Sequence, residues 1–298
     1  MALSPNLRGA LFMAVSMAGF TINDTFVKLA SAELNAGQIM FVRGLMASFM
    51  LWVLCWRTGA LRPPRMLLNK AVFGRSAFEM LATVTFLTGL AHMPIGNASA
   101  ILQALPLAVT MGAALFLGEP VGWRRWAAIL AGFIGVIIIV RPGAEGFNAW
   151  ALLILACVVF AAARDLVTKS APSEIPSSFM SMSTAMLITL AGLILIVPFG
   201  GWVPLSLKSF TWLAAASFFI LFGYQCIILS VRTGEVGFIA PFRYTSLLWA
   251  IGLGFLVFGD VPDTWMIVGS LIVVASGVYT FHRERIRART VVSREALP

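Results

Sequence analysis

The chain has 298 residues and a mass of 32.1 kDa; 60% of the residues are hydrophobic, 11% are charged, and the mean hydropathy is +0.94. A soluble domain carries about a quarter charged residues, so a water-surfaced enzyme is excluded. The net charge of +9 comes from 21 Lys and Arg against 12 Asp and Glu; the basic residues lie between apolar runs rather than in one patch, so nucleic acid is not an expected partner.

At about 20 apolar residues per crossing, the chain accommodates roughly ten membrane helices and no separate soluble domain. In chain order, apolar runs bounded by Pro, Gly and charge predict helices over 9–29, 36–56, 71–93, 96–117, 125–140, 147–167, 178–199, 210–229, 236–258 and 264–281. Helices follow because the runs are continuous, and a lipid-exposed backbone must satisfy its own hydrogen bonds. Ala30-Ser31-Ala32 has the form of a signal-peptide cleavage site, but Asn23, Asp24 and Lys28 interrupt the stretch before it. The first run is therefore expected to be retained. Cys55, Cys157 and Cys226 lie within apolar runs and are odd in number, which reads as buried thiols rather than disulfides or a metal site. His92 and His282 have no metal-ligand neighbour at helical spacing, and no cofactor is expected.

With the N-terminus inside, the cytoplasmic segments collect 16 of the 21 basic residues, the outer segments receive Lys28, Arg141 and Lys208, and Arg43 and Arg243 lie within helices. The positive-inside rule then places both termini in the cytoplasm. Sliding the sequence by 141 residues brings Ala10-Leu11 onto Ala151-Leu152, Asp24 onto Asp165, Lys28 onto Lys169, Phe78 onto Phe219, Gly96 onto Gly237, Gly118 onto Gly259 and Glu119 onto Asp260. One offset over more than a hundred residues signals a duplicated five-helix unit. Five is odd, so the second copy enters the membrane inverted, an architecture of secondary transporters whose cargo site lies near the midplane between the repeats.

Phe41-Val42-Arg43, Pro94-Ile95-Gly96-Asn97-Ala98, Gly118-Glu119-Pro120, Gly132 with Gly135, Arg141-Pro142-Gly143 and the later echo Gly259-Asp260-Val261 resemble the EamA-type drug/metabolite transporters over nearly the whole chain. The resemblance implies a ten-helix solute carrier; members move amino acids, nucleotide sugars, S-adenosylmethionine, riboflavin and drugs. One departure is Val261, where the family's second Gly-acid-Pro turn has proline directly; here Pro262 follows one residue later, which puts the geometry of that turn in question.

Ionisable groups inside a crossing cost about 2.5 to 3.5 kcal/mol each on insertion scales, so each needs a partner or a task. Asp24 with Lys28, and Asp165 with Lys169, stand at i,i+4 and can pair along one helix face. The alternative makes Asp24 a proton or substrate-amine site, and Arg43 at nearly the same depth competes for its carboxylate. Arg43 aligns with Thr184 and Arg243 with Leu102 across the repeat, so neither is inherited symmetry. Arg243, in Pro241-Phe242-Arg243-Tyr244-Thr245-Ser246, offers a planar donor fork for a carboxylate or phosphate; the competing assignment pairs it with Glu79 or with carbonyls freed by Pro241. Tyr244 matches Gln103, and the two are expected to face each other across a central cavity. Glu79 either offers a cavity carboxylate to a coupling proton or pairs with Arg75 four residues earlier. His92 belongs at the outer boundary. Trp249, Tyr224 and Phe242 can stack a planar ring, with core packing or lipid contact as the plainer role. Gly132, Gly135, Gly269 and Gly277 allow close helix contact or a dimer face.

The sequence thus predicts an all-α integral membrane protein, with ten helices in two inverted repeats at residues 1–141 and 142–282 and a basic tail at 283–298 that meets anionic lipid. The expected function is secondary transport of a small polar or amphiphilic metabolite across the inner membrane by alternating access, with proton coupling, exchange and facilitated diffusion all open. Partners are the small-molecule substrate and membrane lipids; the protein is a monomer or homodimer. Asp24, Arg43, Glu79, Gln103, Arg243 and Tyr244 are the expected cargo-site residues. The resemblance points to riboflavin, with an amino-acid-like metabolite beside it. The rival class is a membrane-embedded enzyme acting on a lipid or lipid-linked substrate, but no phosphate loop, HExxH or catalytic triad spacing is present.

Overall fold

The computed structural model describes residues 4–142, 148–172 and 174–295, apart from the side chains of 236–237 and 284–295. The described residues are helical, with no strand among them. The long elements are α1 (Pro5–Ser31), α2 (Ala36–Arg57), α3 (Lys70–Ala91), α4 (Ile95–Leu102), α5 (Leu105–Phe116), α6 (Trp123–Val140), α7 (Ala151–Lys169), α8 (Ser177–Leu195), α9 (Leu207–Thr233), α10 (Val236–Ile239), α11 (Thr245–Leu253) and α12 (Thr264–Glu295). Among the described residues, nine helical segments are long and apolar enough to cross a membrane. The 22-residue α3, which carries Lys70, Arg75 and Glu79, packs among them.

Polar side chains set where several helices start. Asn35 accepts from the Gln38 amide at 2.9 Å, Asn69 from Ala71 at 3.0 Å and Ser206 from Ser209 at 3.0 Å, each satisfying a donor that the first helical turn leaves free. Gly118 and Gly259 both take the left-handed conformation, at φ +67° and +71°, which glycine adopts without steric cost. The residue after each makes the same bond: Glu119 N donates to Ala113 O at 3.2 Å and Asp260 N to Gly254 O at 3.0 Å. The turn questioned by Val261 therefore keeps the form of its first-half counterpart.

Two of the expected continuous crossings are broken. The fourth divides into α4 and α5 at Gln103-Ala104, with Pro106 in the first turn of α5. The ninth passes from α10 through a 3-10 turn, Ala240–Tyr244, into α11 and then a π-turn, Gly254–Phe258. Proline cannot donate to the preceding turn and clashes with it, so both interruptions fall where Pro106 and Pro241 stand. The expected start of the sixth crossing at residue 147, and Gly143 of the family motif, lie outside the described residues. At the chain's end the backbone of α12 runs on through 283–295, the segment expected to form the basic tail; the side chains of the basic run beyond Arg283 lie outside the described residues.

Packing pairs each half with the other: α1 lies on α9, α2 on α8, α3 on α7 and α6 on α12. Small residues let these axes approach. A Cβ on Gly192 of α8 would stand 2.5 Å from the Phe41 nitrogen of α2, and one on Gly135 of α6 would stand 2.8 Å from the Gly269 carbonyl oxygen of α12. Close backbone contact of this kind replaces hydrophobic burial as the attraction between helices in lipid. The loops are tied as well: Gln38 Nε2 donates to Val203 O at 2.8 Å, Asn35 Nδ2 to Gly201 O at 2.7 Å, and Glu33 accepts from Ser206 at 3.2 Å and from Ser209, beside Lys208 at 3.4 Å. The Ser209 hydroxyl, helped by Lys208 and Ser206, holds the Glu33 carboxyl below its ordinary value.

Two predictions follow from these contacts. Gly135→Val should destabilise the detergent-solubilised protein by about 1–3 kcal/mol through overpacking, read as a lowered melting temperature, while Gly252→Ala, with nothing within 4 Å of the added carbon, should not. The depressed Glu33 carboxyl contributes stability above its unfolded value that is lost as the pH falls through the folded one. Melting temperature should accordingly fall less steeply in the acid range in Glu33→Gln than in the parent.

Candidate functional site

The charged residues of the bundle interior meet near its middle. Asp24 lies seven residues from the end of α1 and Arg43 seven from the start of α2, which is about 10 Å of depth for each. Asn23 joins them: its Nδ2 donates to Asp24 Oδ1 at 2.8 Å, and its Oδ1 accepts from Arg43 Nη1 at 3.1 Å. Deeper in, Arg164 of α7 pairs with Glu79 of α3 and donates from Nε to Asp165 Oδ1 at 2.8 Å. The Arg164 and Glu79 side chains are each 21% exposed, so the pair is mostly enclosed by the bundle. Arg75 turns inward as well, donating to Thr184 Oγ1 of α8 at 2.6 Å, and Ser76 lies 3.0 Å from the same hydroxyl.

Several pairings differ from the expected local ones. Lys28 does not close on Asp24; its ammonium donates to the carbonyls of Met93 and Leu90 at the end of α3 and lies 5.2 Å from the Phe258 ring centroid. Lys169 does not close on Asp165 but pairs with Glu119. Glu79 takes Arg164 rather than Arg75 or Arg243. The partners come from elsewhere in the bundle: main-chain carbonyls for Lys28, a carboxylate in the turn after α5 for Lys169 and a side chain of α7 for Glu79.

Gln103 and Tyr244 meet, though not ring to amide. Gln103 stands where α4 breaks, and its Nε2 donates to the Tyr244 carbonyl at 3.2 Å and to Ser246 Oγ at 3.0 Å. The Tyr244 ring turns to α12 against Gly277, where its hydroxyl is buried without a hydrogen-bond partner among the described residues. Arg243, next to it, is exposed and makes no ion pair among the described residues; Asp165 and Arg164 are the charges that act on it most. Tyr224 is 45% exposed and packs edge-on to Phe20. Trp249 donates to Ala14 O at 3.2 Å, and His92 stacks on Trp150 at 3.9 Å near the start of α7. The three cysteines are free and buried, and no metal-binding cluster is present among the described residues.

Asn23, Arg75, Arg164 and Thr184 are members of the network that sequence reasoning missed. Arg75 and Arg164 were counted with the cytoplasmic basic residues, yet each lies five residues inside a helix. The offset of 141 that pairs Asp24 with Asp165 also pairs Asn23 with Arg164, and this was the available signal. Breaking one side of the Glu79–Arg164 pair leaves an uncompensated charge. Glu79→Leu and Arg164→Leu should each cost about 2–4 kcal/mol, and the double variant should cost less than the sum, read as a double-mutant cycle of unfolding free energies.

The EamA-like transporter family matches the chain twice, over residues 7–141 and 148–281. Curated relatives include a riboflavin transporter of Vibrio cholerae, 29% identical over 95% of this chain and 96% of its own. An S-adenosylmethionine uptake transporter of Rickettsia prowazekii is 25% identical over 95% and 96%, and a pseudopaline exporter of Pseudomonas aeruginosa 26% identical over 90% and 94%. A solved crystal structure superposes with a TM-score of 0.59 at 16% identity, covering 91% of this chain and 98% of that one, a likeness of fold. With two family matches spanning the described crossings, and relatives that are transporters rather than enzymes, the chain belongs to the EamA-like transporters of the drug/metabolite superfamily and is a multi-pass membrane protein.

Proposed function

We propose that this transporter moves a small polar or amphiphilic metabolite across the bacterial inner membrane by alternating access, with riboflavin the first cargo to test and an amino-acid-like metabolite the second. The observation that carries the reading is Arg243: an accessible guanidinium without an ion-pair partner among the described residues, beside the Glu79–Arg164 pair. An exposed guanidinium left open in this way, set between helices of the bundle, is suited to a carboxylate or carbonyl acceptor. Asp24, Arg43 and Glu79 belong to the charged network of the interior, while the Gln103 amide joins the broken fourth crossing to the ninth at Tyr244. Interrupted helices at the repeat interface are the usual place of a transporter's cargo site.

The two halves, residues 1–141 and 142–282, are read as inverted repeats with both chain ends in the cytoplasm. This is supported by packing that is preserved when the halves are exchanged: α1 lies on α9 as α7 lies on α3, and α1 touches α11 as α7 touches α4 and α5. The basic residues concentrated near one set of helix ends support the orientation. The riboflavin transporter of Vibrio cholerae supports that choice of first cargo.

In proteoliposomes the protein should accumulate radiolabelled riboflavin, recoverable chemically unchanged. Arg243→Ala should lower uptake by about tenfold, the loss of one charge-assisted hydrogen bond, without a lower melting temperature, and Arg243→Lys should retain part of it. Full uptake in Arg243→Ala would remove that residue from the site.

A further inference from the structure

The offset that aligns the halves superimposes Lys28 on Lys169 and Asp260 on Glu119. Each Lys stands near the end of a helix, α1 or α7, and each carboxylate follows a left-handed glycine closing a broken crossing. The structure therefore contains the same Lys–carboxylate combination twice, once at each end of the bundle. The two copies are in different states. At the end carrying the start of α1, Lys169 and Glu119 form an ion pair. At the other end, Lys28 makes no ion pair with Asp260; it holds the Met93 and Leu90 carbonyls and the Phe258 ring. Asp260 Oδ2 is buried without a hydrogen-bond partner among the described residues, and Asp260 is the carboxylate that acts on the Lys28 charge. A cleft of about 200 Å³ opens beside Lys28, lined also by Ser31, Thr88 and His92.

We infer that Lys169–Glu119 and Lys28–Asp260 are alternating latches, one closed while the other is parted, so that each conformation of the transporter is locked at one face only. The inference rests on the inverted-repeat reading above. In the state described, the Lys169–Glu119 latch is shut and the Lys28–Asp260 latch is released, its lysine parked on main-chain carbonyls. The closed pair is half exposed, with side chains 56% and 42% accessible. Such pairs are weak, as a latch broken in every cycle must be: a ligand shifts two states only by its differential affinity for them.

The test uses the full chain in proteoliposomes with Cys55, Cys157 and Cys226 replaced by serine. Lys169→Cys with Glu119→Cys, and Lys28→Cys with Asp260→Cys, should each cross-link on oxidation, stopping transport until a reductant is added. In the variant carrying all four cysteines, each molecule should hold only one of the two cross-links. Both cross-links in one molecule, or transport through a cross-linked molecule, would overturn the latch. Lys169→Glu should slow transport about threefold, in keeping with the worth of an exposed pair, and adding Glu119→Lys should restore it; no restoration overturns the inference as well. An impermeant maleimide separates the two readings. Labelling of Lys28→Cys and Lys169→Cys from the same side sinks the inverted repeat, whereas labelling from opposite sides together with simultaneous cross-links sinks the latch alone.

Discussion

The hydrocarbon core of a membrane offers no hydrogen bonds, so each break in a helix and each ionised side chain there must be satisfied by the protein itself. The bundle meets this constraint at its most exposed points by bringing deficits together. The two interrupted crossings are set against each other, with the Gln103 amide at one break donating to the Tyr244 carbonyl at the other. These two positions are equivalents under the internal offset. The interruption in each half is thus completed by the other half, and neither five-helix unit carries the arrangement alone.

The same demand divides the helices by task. Where α2 crosses α8 and α6 crosses α12, glycines bring backbones into contact and leave little room for side-chain chemistry. Around them, Leu193, Ile194, Phe218 and Leu248 remain exposed, as suits a surface facing lipid. The charges instead collect on α1, α2, α3 and α7, where Asn23 stands between Arg43 and Asp24, and Glu79 answers Arg164. Close-packed crossings give the molecule its frame, and the charged helices give it a polar interior.

What the sequence made legible follows from how local each feature is. Helix positions came from apolar runs, and their ends fall within a few residues of the observed ones for α2, α6 and α8, where charge or proline punctuates the run. The repeat was legible because Gly118 and Gly259 must each be glycine to turn the chain at positive φ. The breaks at Gln103 and Ala240–Tyr244 were not, because Pro106 and Pro241 sit inside runs whose hydropathy continues unbroken. The six expected site residues are distributed around the network and the breaks, but their partners were read from spacing along one helix. Lys28 and Lys169 instead find groups more than fifty positions away or at the edge of that range, supplied by helices that only tertiary packing brings near. Arg164 escaped notice because five residues from a helix end looks like a loop to a count of basic charges.

The electrostatics of the interior bear on the kind of solute that completes it. Four guanidinium groups, those of Arg43, Arg75, Arg164 and Arg243, stand against the three carboxyl groups of Asp24, Glu79 and Asp165. Arg43 donates to Asn23, Arg75 to Thr184 and Arg164 to two acids, while Arg243 has no ion pair among the described residues. A guanidinium does not shed its proton to relieve the imbalance, so the excess positive charge persists. On the proposed function, a solute bearing a carboxylate or a set of carbonyl acceptors would answer that excess charge, and a purely cationic one would add to it. The Tyr224 ring, packed edge-on to Phe20 and 45% exposed, offers an apolar face as well. On the proposed function, a planar solute with carbonyl acceptors at its edge, such as a flavin, would meet both features at once.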